Sequence, residues 1–333
     1  MKKDAVDLIA QKIKDCQRIV ITSHLRPDGD SICTGLALYF IGEQLGKKMA
    51  IVNQDKTPFP FNHFSHHEII QIGQIPPRMY DMVILLECAS VARSGQESIQ
   101  DYFKVNIDHH HSNYFYADIN WVDPEASAVA EMVYLLSQRL KIDLSPEMAD
   151  NLYSGIVSDT GSFQFSNTKA RCFKVCYELI NQGANPTKVS EHLYNNNPPE
   201  KIKLLGQVLS TLQMNDRGNI AIITMFRQHL DSLNLKEIDT EDITTLARSI
   251  KGVEVVLFFK EIKKDTYRVS LRSKGSANAA LIAEYFGGGG HIHAAGFPVV
   301  GSYETLLKEI PKTVERLLAE QPRTEPPKKL DVY

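Results

Sequence analysis

The segment RIVITSHLRPDGD, residues 18–30, sets the fold class that the remainder of the sequence supports. Its first six residues form the short apolar run of a buried strand, and the helix-like stretch SICTGLALYFIGEQLG follows at 31–46. Between these two parts, Pro27 and Gly29 favour a tight turn. A strand that leads through a turn into an apolar helix is the opening unit of a parallel α/β sheet.

Three more apolar runs continue this alternation of strands and helices. They read MAIVN at 49–53, MVILLE at 82–87 and KVNID at 104–108, and each ends in a polar or acidic residue. Such an alternation predicts an α/β fold whose N-terminal parallel sheet carries helices on both faces. Because ligands of parallel sheets bind at the carboxyl ends of the strands, we expect the functional site at those ends.

The pattern changes in the second half of the chain. Strand-like runs, the last two joined by a KKD turn, precede a helix-like stretch and the glycine block FGGGGH. This order predicts a smaller α/β domain beyond the Asn- and Pro-rich segment YNNNPPEK. We predict four segments: an N-terminal domain at 1–185, a helical linker at 186–212, a C-terminal domain at 213–320 and a polar tail at 321–333.

The composition is that of an ordinary globular protein. Of the 333 residues, 43% are hydrophobic and 23% are charged, which is enough for two domains to bury a core each. The net charge of -3 argues against a partner that is long duplex nucleic acid, because such partners are held by an overall positive field. The five cysteines have no CxxC pair and no regular spacing, so we expect reduced thiols in a reducing compartment.

Nothing in the sequence indicates export or membrane insertion. The stretch MKKDAVDLIAQKIKDC contains Asp4 and Asp7 and reads as an amphipathic helix, not as a signal peptide. No run approaches the roughly 20 apolar residues that span a bilayer. We therefore expect a soluble cytoplasmic protein without a membrane partner, and the sequence leaves open whether it is a monomer or a homodimer.

A first group of metal-competent side chains lies in the turn after the first strand. His24, Asp28 and Asp30 can converge from this single loop, and aspartate with histidine in oxygen-rich surroundings suits Mn²⁺ or Mg²⁺. An ordinary turn would also fit the PDGD segment, because turns favour the same residue types. The group therefore indicates a site only in combination with side chains elsewhere.

Further candidates stand at the ends of other elements. IDHHHSN ends a strand in Asp108 and three histidines, Glu87 ends another strand, and Asp159 follows a helix. A solvated histidine cluster is the alternative, and the carboxylate directly before the histidines disfavours it. A phosphate ester under attack gathers charge on the attacking and leaving oxygens, and two cations about 3.5–4 Å apart can stabilise both. The combined set therefore indicates a two-metal phosphoesterase.

The glycine block near the end of the chain is a second candidate site. It contains four glycines, and the last three can let backbone N–H groups approach an anion: Gly288, Gly289 and Gly290. His291 follows directly, and Arg272 and Ser273 offer a guanidinium fork and a hydroxyl to a phosphate. The alternative is a flexible loop, which the flanking apolar residues disfavour.

These motifs resemble those of the DHH phosphoesterases. HLRPDGD, the strand end LLE, IDHHHSN and VSDTG are similar to the four motifs of that family and occur in the same order. SLRS together with GGGGHIHAAGF resembles the DHH-associated C-terminal domain, so the resemblance covers nearly the whole chain. In size and layout the chain is most similar to the oligoribonuclease/pAp phosphatase subgroup, the nanoRNases.

The resemblance implies an enzyme with two Mn²⁺ ions, for which Mg²⁺ or Co²⁺ can substitute. Its expected substrates are short RNAs, cut to 5′-mononucleotides, and 3′-phosphoadenosine 5′-phosphate (pAp), which loses its 3′-phosphate. A cyclic-dinucleotide phosphodiesterase acting on c-di-AMP or pApA would use the same site. A family II pyrophosphatase shares the front motifs, but GGGGH argues against it, and a non-catalytic nucleotide sensor is the alternative from another class.

Carried over position by position, the resemblance implies metal ligands, a bridging carboxylate and a catalytic pair. The implied metal ligands are His24 and Asp28 for one ion and Asp30, His109 and Asp159 for the other. Glu87 stands at the bridging position, Asp108 would orient the histidine run, and His110 would face the scissile phosphate.

Residue 87 departs from the family pattern, which usually has Asp at the bridging position. Glu87 carries the same charge on a stem one methylene longer, so it could bridge the two ions if the strand ended slightly further back. Otherwise it would hold one ion only. The sequence leaves both arrangements open.

Several aromatic residues follow the histidine run. We expect Tyr114, Phe115, Tyr116 and Trp121 to pack in a core, because this is a more frequent role for aromatic side chains than stacking on bases.

Overall fold

The computed structural model describes residues 4–236 and 240–321, apart from the side chains of Glu241 and His291. Of the predicted tail at 321–333, only Gln321 falls within the described residues.

The chain divides between Asn196 and Asn197 into two compact units. This boundary lies in the Asn- and Pro-rich segment and within the range 186–212, where we predict a helical linker.

The N-terminal unit is built on one six-stranded sheet. Its strands in chain order are β1 (Arg18–Ser23), β2 (Lys48–Asn53), β3 (Ile70–Ile72), β4 (Met82–Leu86), β5 (Lys104–Asp108) and β6 (Ile119–Val122). All neighbours run parallel in the spatial order β3-β2-β1-β4-β5-β6, which confirms the predicted parallel sheet. The edge strands β3 and β6 were not predicted, because three or four residues are too few to show a periodic pattern.

Helices connect and cover these strands. They are α1 (Ala5–Asp15), α2 (Gly29–Gln44), α3 (Val91–Ser94), α4 (Val129–Leu140), α5 (Pro146–Asp159), α6 (Ala170–Asn181) and α7 (Pro186–Tyr194), with short 3-10 turns at Phe61–His63 and His67–Ile69. Alternate strand residues enter different cores: Ile19 and Ile21 join the large helical core, and Val20 joins a smaller cluster on the other face. Burial on both faces explains why these strands read as continuous apolar runs.

The strand order creates a crevice between β1 and β4. The chain adds β2 and β3 on one side of β1, and β4, β5 and β6 on the other side. The connections therefore leave in opposite directions at the carboxyl ends of β1 and β4, where Ser23 pairs with Leu86. Ligands of doubly wound sheets bind at such a point. His24 and Glu87 are the next residues on the two strands.

The C-terminal unit has a second six-stranded sheet. Its strands are β7 (Gln213–Met214), β8 (Ile220–Met225), β9 (Val255–Lys263), β10 (Thr266–Ser273), β11 (Gly289–His291) and β12 (Ala294–Val300). The order is β11-β12-β10-β9-β8-β7, with β8 and β9 parallel and the other neighbours antiparallel. The predicted hairpin of β9 and β10 is confirmed. Strand β12 was not predicted, because Gly296 and Pro298 interrupt its pattern.

Helices pack against both faces of this second sheet. They are α8 (Pro199–Leu209), α9 (Arg227–Ser232), α10 (Glu241–Arg248), α11 (Ala279–Tyr285) and α12 (Tyr303–Glu320). Together with the first sheet, this arrangement confirms the predicted α/β class with a second, smaller α/β domain. Among the described residues, no helix combines the length and apolar character needed to cross a bilayer.

Candidate active site

Three of the predicted metal ligands meet at the carboxyl ends of β1 and β4. Nε2 of His24 lies 3.5 Å from Oδ2 of Asp28 and 3.5 Å from Oε2 of Glu87. One ligand atom from each residue lies within 4.8 Å of the other two. We call this set the Glu87 cluster.

The turn after β1 fixes two members of the Glu87 cluster. Asp28 caps the N-terminus of α2, accepting a hydrogen bond from the backbone N–H of Ser31 at 3.1 Å, while Oγ of Ser31 accepts one from the N–H of Asp28 at 3.1 Å. Nδ1 of His24 lies 2.8 Å from the carbonyl oxygen of Leu25. Because this contact requires a proton on Nδ1, the lone pair of the neutral ring lies on Nε2, towards the two carboxylates.

Glu87 occupies an unusual position. It follows β4 with a left-handed backbone (φ 57°), its residue is 2% exposed, and its buried Oε1 has no hydrogen-bond partner. Burial raises the pKa of Glu87 well above its usual range, and the charges of Asp28 and Asp30 raise it further. The longer side chain thus reaches His24 from a buried strand end and interacts electrostatically with both groups of predicted ligands.

The other three predicted ligands form a second group. One ligand atom from each of Asp30, His109 and Asp159 lies within 4.8 Å of the other two, and Nε2 of His109 is 3.6 Å from Oδ2 of Asp159. Nδ1 of His109 lies 3.1 Å from the carbonyl oxygen of Ala126, so this ring also presents Nε2 to the carboxylates. We call this set the Asp30 cluster.

The protein holds Asp30 through both of its carboxylate oxygens. Oδ1 accepts hydrogen bonds from Oγ1 of Thr34 at 2.8 Å and from the backbone N–H of Ala130 at 3.0 Å. Oδ2 accepts a short hydrogen bond from the N–H of Val129. Because Val129 and Ala130 begin α4, the carboxylate also lies at the positive end of that helix. These contacts position Asp30 before any ligand binds.

Crowding of carboxylates shifts the ionisation of the Asp30 cluster. Burial and the charge of Asp30 raise the pKa of Asp159 to about 7, although the charge of His109 acts in the opposite direction. Burial alone would lower the pKa of His109, but the nearby carboxylates Asp159 and Asp30 raise it. His109 and Asp159 therefore each stabilise the charged form of the other, whereas the negative charge of Asp30 disfavours ionisation of Asp159.

The donor set of the two clusters fits divalent cations. Each cluster offers one imidazole Nε2 and two carboxylates, a mixture that suits Mn²⁺ and related ions. Within the described chain, no Lys or Arg forms an ion pair with any of the four carboxylates. Oε1 of Glu87 has no partner and the pKa of Asp159 is raised, so a proton or a cation would relieve the crowding of charge here. The clusters could therefore hold one ion each.

The predicted catalytic pair also forms a direct contact. Nδ1 of His110 donates to Oδ1 of Asp108 at 2.7 Å, and the backbone N–H of His110 reaches the same oxygen at 3.1 Å. Oδ2 of Asp108 accepts a hydrogen bond from the side chain of Asn113. Burial opposes ionisation of Asp108, but the contacts with His110 and Asn113 outweigh it, and the pKa of Asp108 is lowered. An ionised Asp108 thus orients the His110 ring, and leaves Nε2 for another partner.

Two residues that the sequence did not single out support this site. Gly155 on α5 faces Asp30, and a Cβ atom added there would lie 2.7 Å from Oδ1 of Asp30. Arg93 on α3 is half-buried, and its carbonyl oxygen accepts a hydrogen bond from the N–H of Leu25, next to His24. The positive charge of Arg93 opposes protonation of His24. In the sequence, Arg93 could have been noticed because it follows shortly after the strand end at Glu87. A glycine within a helix, such as Gly155, gives no such signal.

The predicted residues of the C-terminal unit lie on neighbouring strands. Arg272 on β10 pairs with Ala294 on β12, and Ala294 pairs with His291 on β11. Arg272 and His291 therefore occupy one row across three strands, although the side chain of His291 lies outside the described residues. The glycine block leads into the edge strand β11, which forms a hairpin with β12, so it is not the flexible loop that the sequence left as the alternative.

Glycine is required at different positions of this block for different structural reasons. A Cβ atom at Gly288 would lie 2.2 Å from the carbonyl oxygen of Gly296, and Gly290 has a φ of 149° that other residues rarely adopt. The N–H of Gly288 donates to the carbonyl oxygen of Ala283 at the end of α11. Gly289 has open space around its Cβ position and pairs with Gly296 on β12.

Ser273 is buried, and its hydroxyl is used inside the protein. The hydroxyl donates to the carbonyl oxygen of Ala277 at 2.7 Å and lies 3.0 Å from Nδ1 of His293. The backbone N–H of Ser273 donates to the carbonyl oxygen of His293 at 3.1 Å. Ser273 therefore holds the turn that follows the glycine block, and in this arrangement its hydroxyl does not face solvent.

Two protein families match separate parts of the chain. Residues 18–156 match the DHH family, N-terminal domain, and residues 219–320 match the DHHA1 domain.

Proteins of known name are similar over most of the chain. The bifunctional oligoribonuclease and PAP phosphatase NrnA of Thermus thermophilus is 31% identical over 315 residues, which cover 93% of this chain and 94% of that protein. The protein of the same name from Bacillus subtilis is 28% identical over 309 residues, with 87% and 95% covered. A solved structure of an exopolyphosphatase-related protein from Bacteroides fragilis has a TM-score of 0.86 at 24% identity, covering 95% of this chain and 97% of that one.

Proposed function

The chain belongs to the DHH family of phosphoesterases and is a hydrolytic enzyme, and on this premise we propose that it hydrolyses short oligoribonucleotides to 5′-mononucleotides and removes the 3′-phosphate from pAp. The similarity to proteins named oligoribonuclease and PAP phosphatase extends over both units, so it includes the unit with the glycine block. The membership itself was predicted from the motifs and is confirmed.

The observation that carries the proposal is the pair of ligand clusters at the carboxyl ends of β1, β4 and β5. Six side chains from distant parts of the sequence converge in two groups of similar composition. Two clusters side by side suit a reaction in which charge develops at two oxygens, those of the attacking and the leaving group. A nucleotide sensor would need a grip on its ligand but not this paired arrangement.

We propose that two divalent ions, with Mn²⁺ as the first candidate, bind in this site. His24, Asp28 and Glu87 would hold one ion, and Asp30, His109 and Asp159 the other, with Glu87 reaching towards both. When bound, such ions activate water and offset the negative charge of a phosphate ester. The imidazole ligands favour Mn²⁺ over Mg²⁺, which prefers oxygen donors and keeps several waters.

In this proposal the side chains around the clusters position the substrate and move a proton. Asp108 holds the Nδ1 proton of His110, so Nε2 of His110 would take up a second proton and pass it to the leaving oxygen. Arg93 would offer its guanidinium to a phosphate oxygen, since no carboxylate in the described chain pairs with it. Both residues lie beside the clusters and not in them.

The C-terminal unit would recognise the nucleotide. Arg272, the N–H groups of the glycine block (Gly288, Gly289 and Gly290) and His291 form the proposed substrate-binding set. Within it, the N–H of Gly288 is already donated to the carbonyl oxygen of Ala283 on α11. Ser273 would act through the turn it holds and not by touching the substrate.

The proposal is tested by product analysis on four substrates side by side. Purified protein is incubated with pAp, pApA, c-di-AMP and a 5′-labelled RNA trinucleotide, with Mn²⁺ or Mg²⁺, and Asp28→Ala serves as the inactive control. We expect AMP and phosphate from pAp and mononucleotides from the trinucleotide, faster with Mn²⁺, and no turnover by the control. No turnover of pAp and the trinucleotide, or nucleotide binding without turnover, would contradict the proposal.

A preference for c-di-AMP would instead favour the cyclic-dinucleotide phosphodiesterase. The ratio of kcat/KM for c-di-AMP to that for the trinucleotide decides between these two substrates, because both enzymes would share the same metal site.

A further inference from the structure

Two aromatic side chains beside the candidate site are exposed to solvent. Tyr114 is 77% exposed and Phe115 is 65% exposed, so our expectation that they pack in a core is wrong. Within the described chain, neither ring contacts another aromatic ring or joins a hydrophobic core. Tyr116 and Trp121 do pack as expected, each against a hydrophobic core.

The backbone of this aromatic pair is tied to the two segments that carry the site. The N–H of Phe115 donates to Oδ1 of Asn113 at 2.8 Å, and Asn113 in turn donates to Oδ2 of Asp108. The N–H of Tyr114 donates at 3.0 Å to the carbonyl oxygen of Ala89, two residues after Glu87. The pair therefore lies at the carboxyl ends of β4 and β5, next to the His110–Asp108 contact.

The conformation of Phe115 is unfavourable for its residue type. Its φ of 53° lies in the left-handed region, where a bulky side chain is an outlier. Burial of the ring does not compensate this strain, because most of the ring surface is in contact with water. Strained residues of this kind concentrate at ligand-binding sites, where the surrounding structure holds them in place.

We propose that Tyr114 and Phe115 form a platform on which a base of the substrate stacks while its phosphate lies at the metal clusters. Aromatic side chains beside a phosphate-binding site are the usual means of holding unpaired bases, and they accept any base because every base has a π face. This inference rests on the proposed function and makes it more specific: the N-terminal unit itself would select nucleotides over phosphate esters that lack a base.

The first test compares substrates with and without bases. Tyr114→Ala and Phe115→Gly are measured on an adenylate trinucleotide and on a trinucleotide of the same length with abasic sugars, with Tyr177→Ala as a matched control. Tyr177 is 63% exposed on α6, away from the site in sequence. We expect each platform variant to raise KM for the base-containing trinucleotide by about tenfold, with kcat and the abasic substrate little changed.

Phe115→Gly also separates binding from folding. Glycine adopts a φ of 53° without strain, so the Tm of this variant should not fall below that of the wild type. A raised KM in a protein of undiminished Tm identifies the lost ring as the cause. Equal losses on both trinucleotides, or no loss on either, would overturn the platform.

Direct binding distinguishes failure of the platform from failure of the proposed function. Calorimetry compares AMP with ribose 5-phosphate, for the wild type and the same three variants, whether or not the trinucleotide is cleaved. If the wild type prefers AMP and only the platform variants lose that preference, the platform stands even if the RNA substrate is wrong. If the wild type binds both compounds equally, the platform is refuted.

Discussion

The carboxylates of Asp30 and Glu87 are both almost fully buried, yet the protein holds them in different ways. Asp30 is 1% exposed, and its two oxygens accept hydrogen bonds from Thr34 and from the first N–H groups of α4. Oε1 of Glu87 is buried without a partner, on a residue with left-handed backbone. A buried carboxylate without partners is costly unless it binds a proton or a cation. The carboxylate of Asp30 is therefore preorganised by the fold, whereas that of Glu87 depends on a proton or an ion.

The largest expected effects come from a matched pair of amide substitutions. Asp30→Asn and Glu87→Gln should each lower kcat/KM by about a thousandfold, since several kcal/mol of transition-state stabilisation depends on each ion. Only Asp30→Asn should also destabilise the metal-free protein, by about 2 kcal/mol, because its new NH₂ group would face backbone donors. Urea unfolding in EDTA measures this difference.

Glu87→Gln is expected to change the metal-free stability by less than about 0.5 kcal/mol, because burial raises the pKa of Glu87 and so already disfavours the charge that glutamine lacks. Equal destabilisation by the two substitutions would remove the contrast between the clusters. Full activity of Glu87→Gln would exclude Glu87 as a ligand.

A second prediction disturbs the Asp30 cluster without touching a ligand. In Gly155→Ala the new methyl group would lie 2.7 Å from Oδ1 of Asp30 and 2.8 Å from Cβ of Ala130. Because Asp30 cannot move without breaking its hydrogen bonds, we expect activity to fall by about a hundredfold, as for the loss of residues that orient metal ligands. The control is Gly206→Ala on α8, where nothing lies within 4 Å and alanine favours the helix. Normal activity of Gly155→Ala would show that Asp30 is less firmly held than we describe.

A smaller effect is expected on the side of the Glu87 cluster. Arg93→Ala should raise KM for pAp by about tenfold, the amount lost with one charge-assisted hydrogen bond to a phosphate. Steady-state kinetics with Arg93→Ala and Arg93→Lys, and with the exposed Lys174→Ala on α6 as control, measures it. An Arg93→Ala enzyme with the same KM as the control would remove Arg93 from the substrate contacts.

The smallest effect concerns pH. The pKa of Asp159 is raised from 3.8 to about 7 in the folded protein, so the folded state keeps a proton that the unfolded chain has lost. The contribution of Asp159 to stability is therefore present below about pH 4 and is lost as the pH rises towards 7. In EDTA, the Tm of the wild type should fall by a few degrees relative to Asp159→Asn between pH 5 and 8. With Mn²⁺ present this fall in Tm should vanish, because the ion takes the place of the proton. If the Tm difference between the wild type and Asp159→Asn in EDTA did not depend on pH, the raised pKa of Asp159 would be contradicted.

The sequence predicted the members of both clusters because they stand at strand ends, in the turn after β1 or at the end of a helix, and because the resemblance to the DHH phosphoesterases divides them into two ligand sets. Strand ends of a parallel sheet share one edge, so His24, Glu87 and His109 were expected at that edge, and the observed order places β1, β4 and β5 next to each other. The same rule does not describe how each side chain is held. The contacts of Asp30 with the N-terminus of α4 join residues about a hundred positions apart, and no local pattern signals them.

Exposure was the other quantity that the sequence could not provide. Tyr114, Phe115 and Tyr116 are adjacent aromatic residues, but only Tyr116 packs against a core. Tyr114 and Phe115 face outward in the turn where the N–H of Phe115 donates to the side chain of Asn113. Ser273 stands next to Arg272 in the motif, yet its hydroxyl is directed inward to Ala277. Neighbours on a strand alternate between faces, so adjacent motif residues need not share a role.

The central claim is that each cluster holds its own divalent ion. Crystals grown with Mn²⁺ and measured at the manganese absorption edge give the ion positions directly. We predict two anomalous peaks, one bonded to His24, Asp28 and Glu87 and the other to Asp30, His109 and Asp159. A map with no peak, or with a single peak at one cluster at saturating Mn²⁺, would contradict the account.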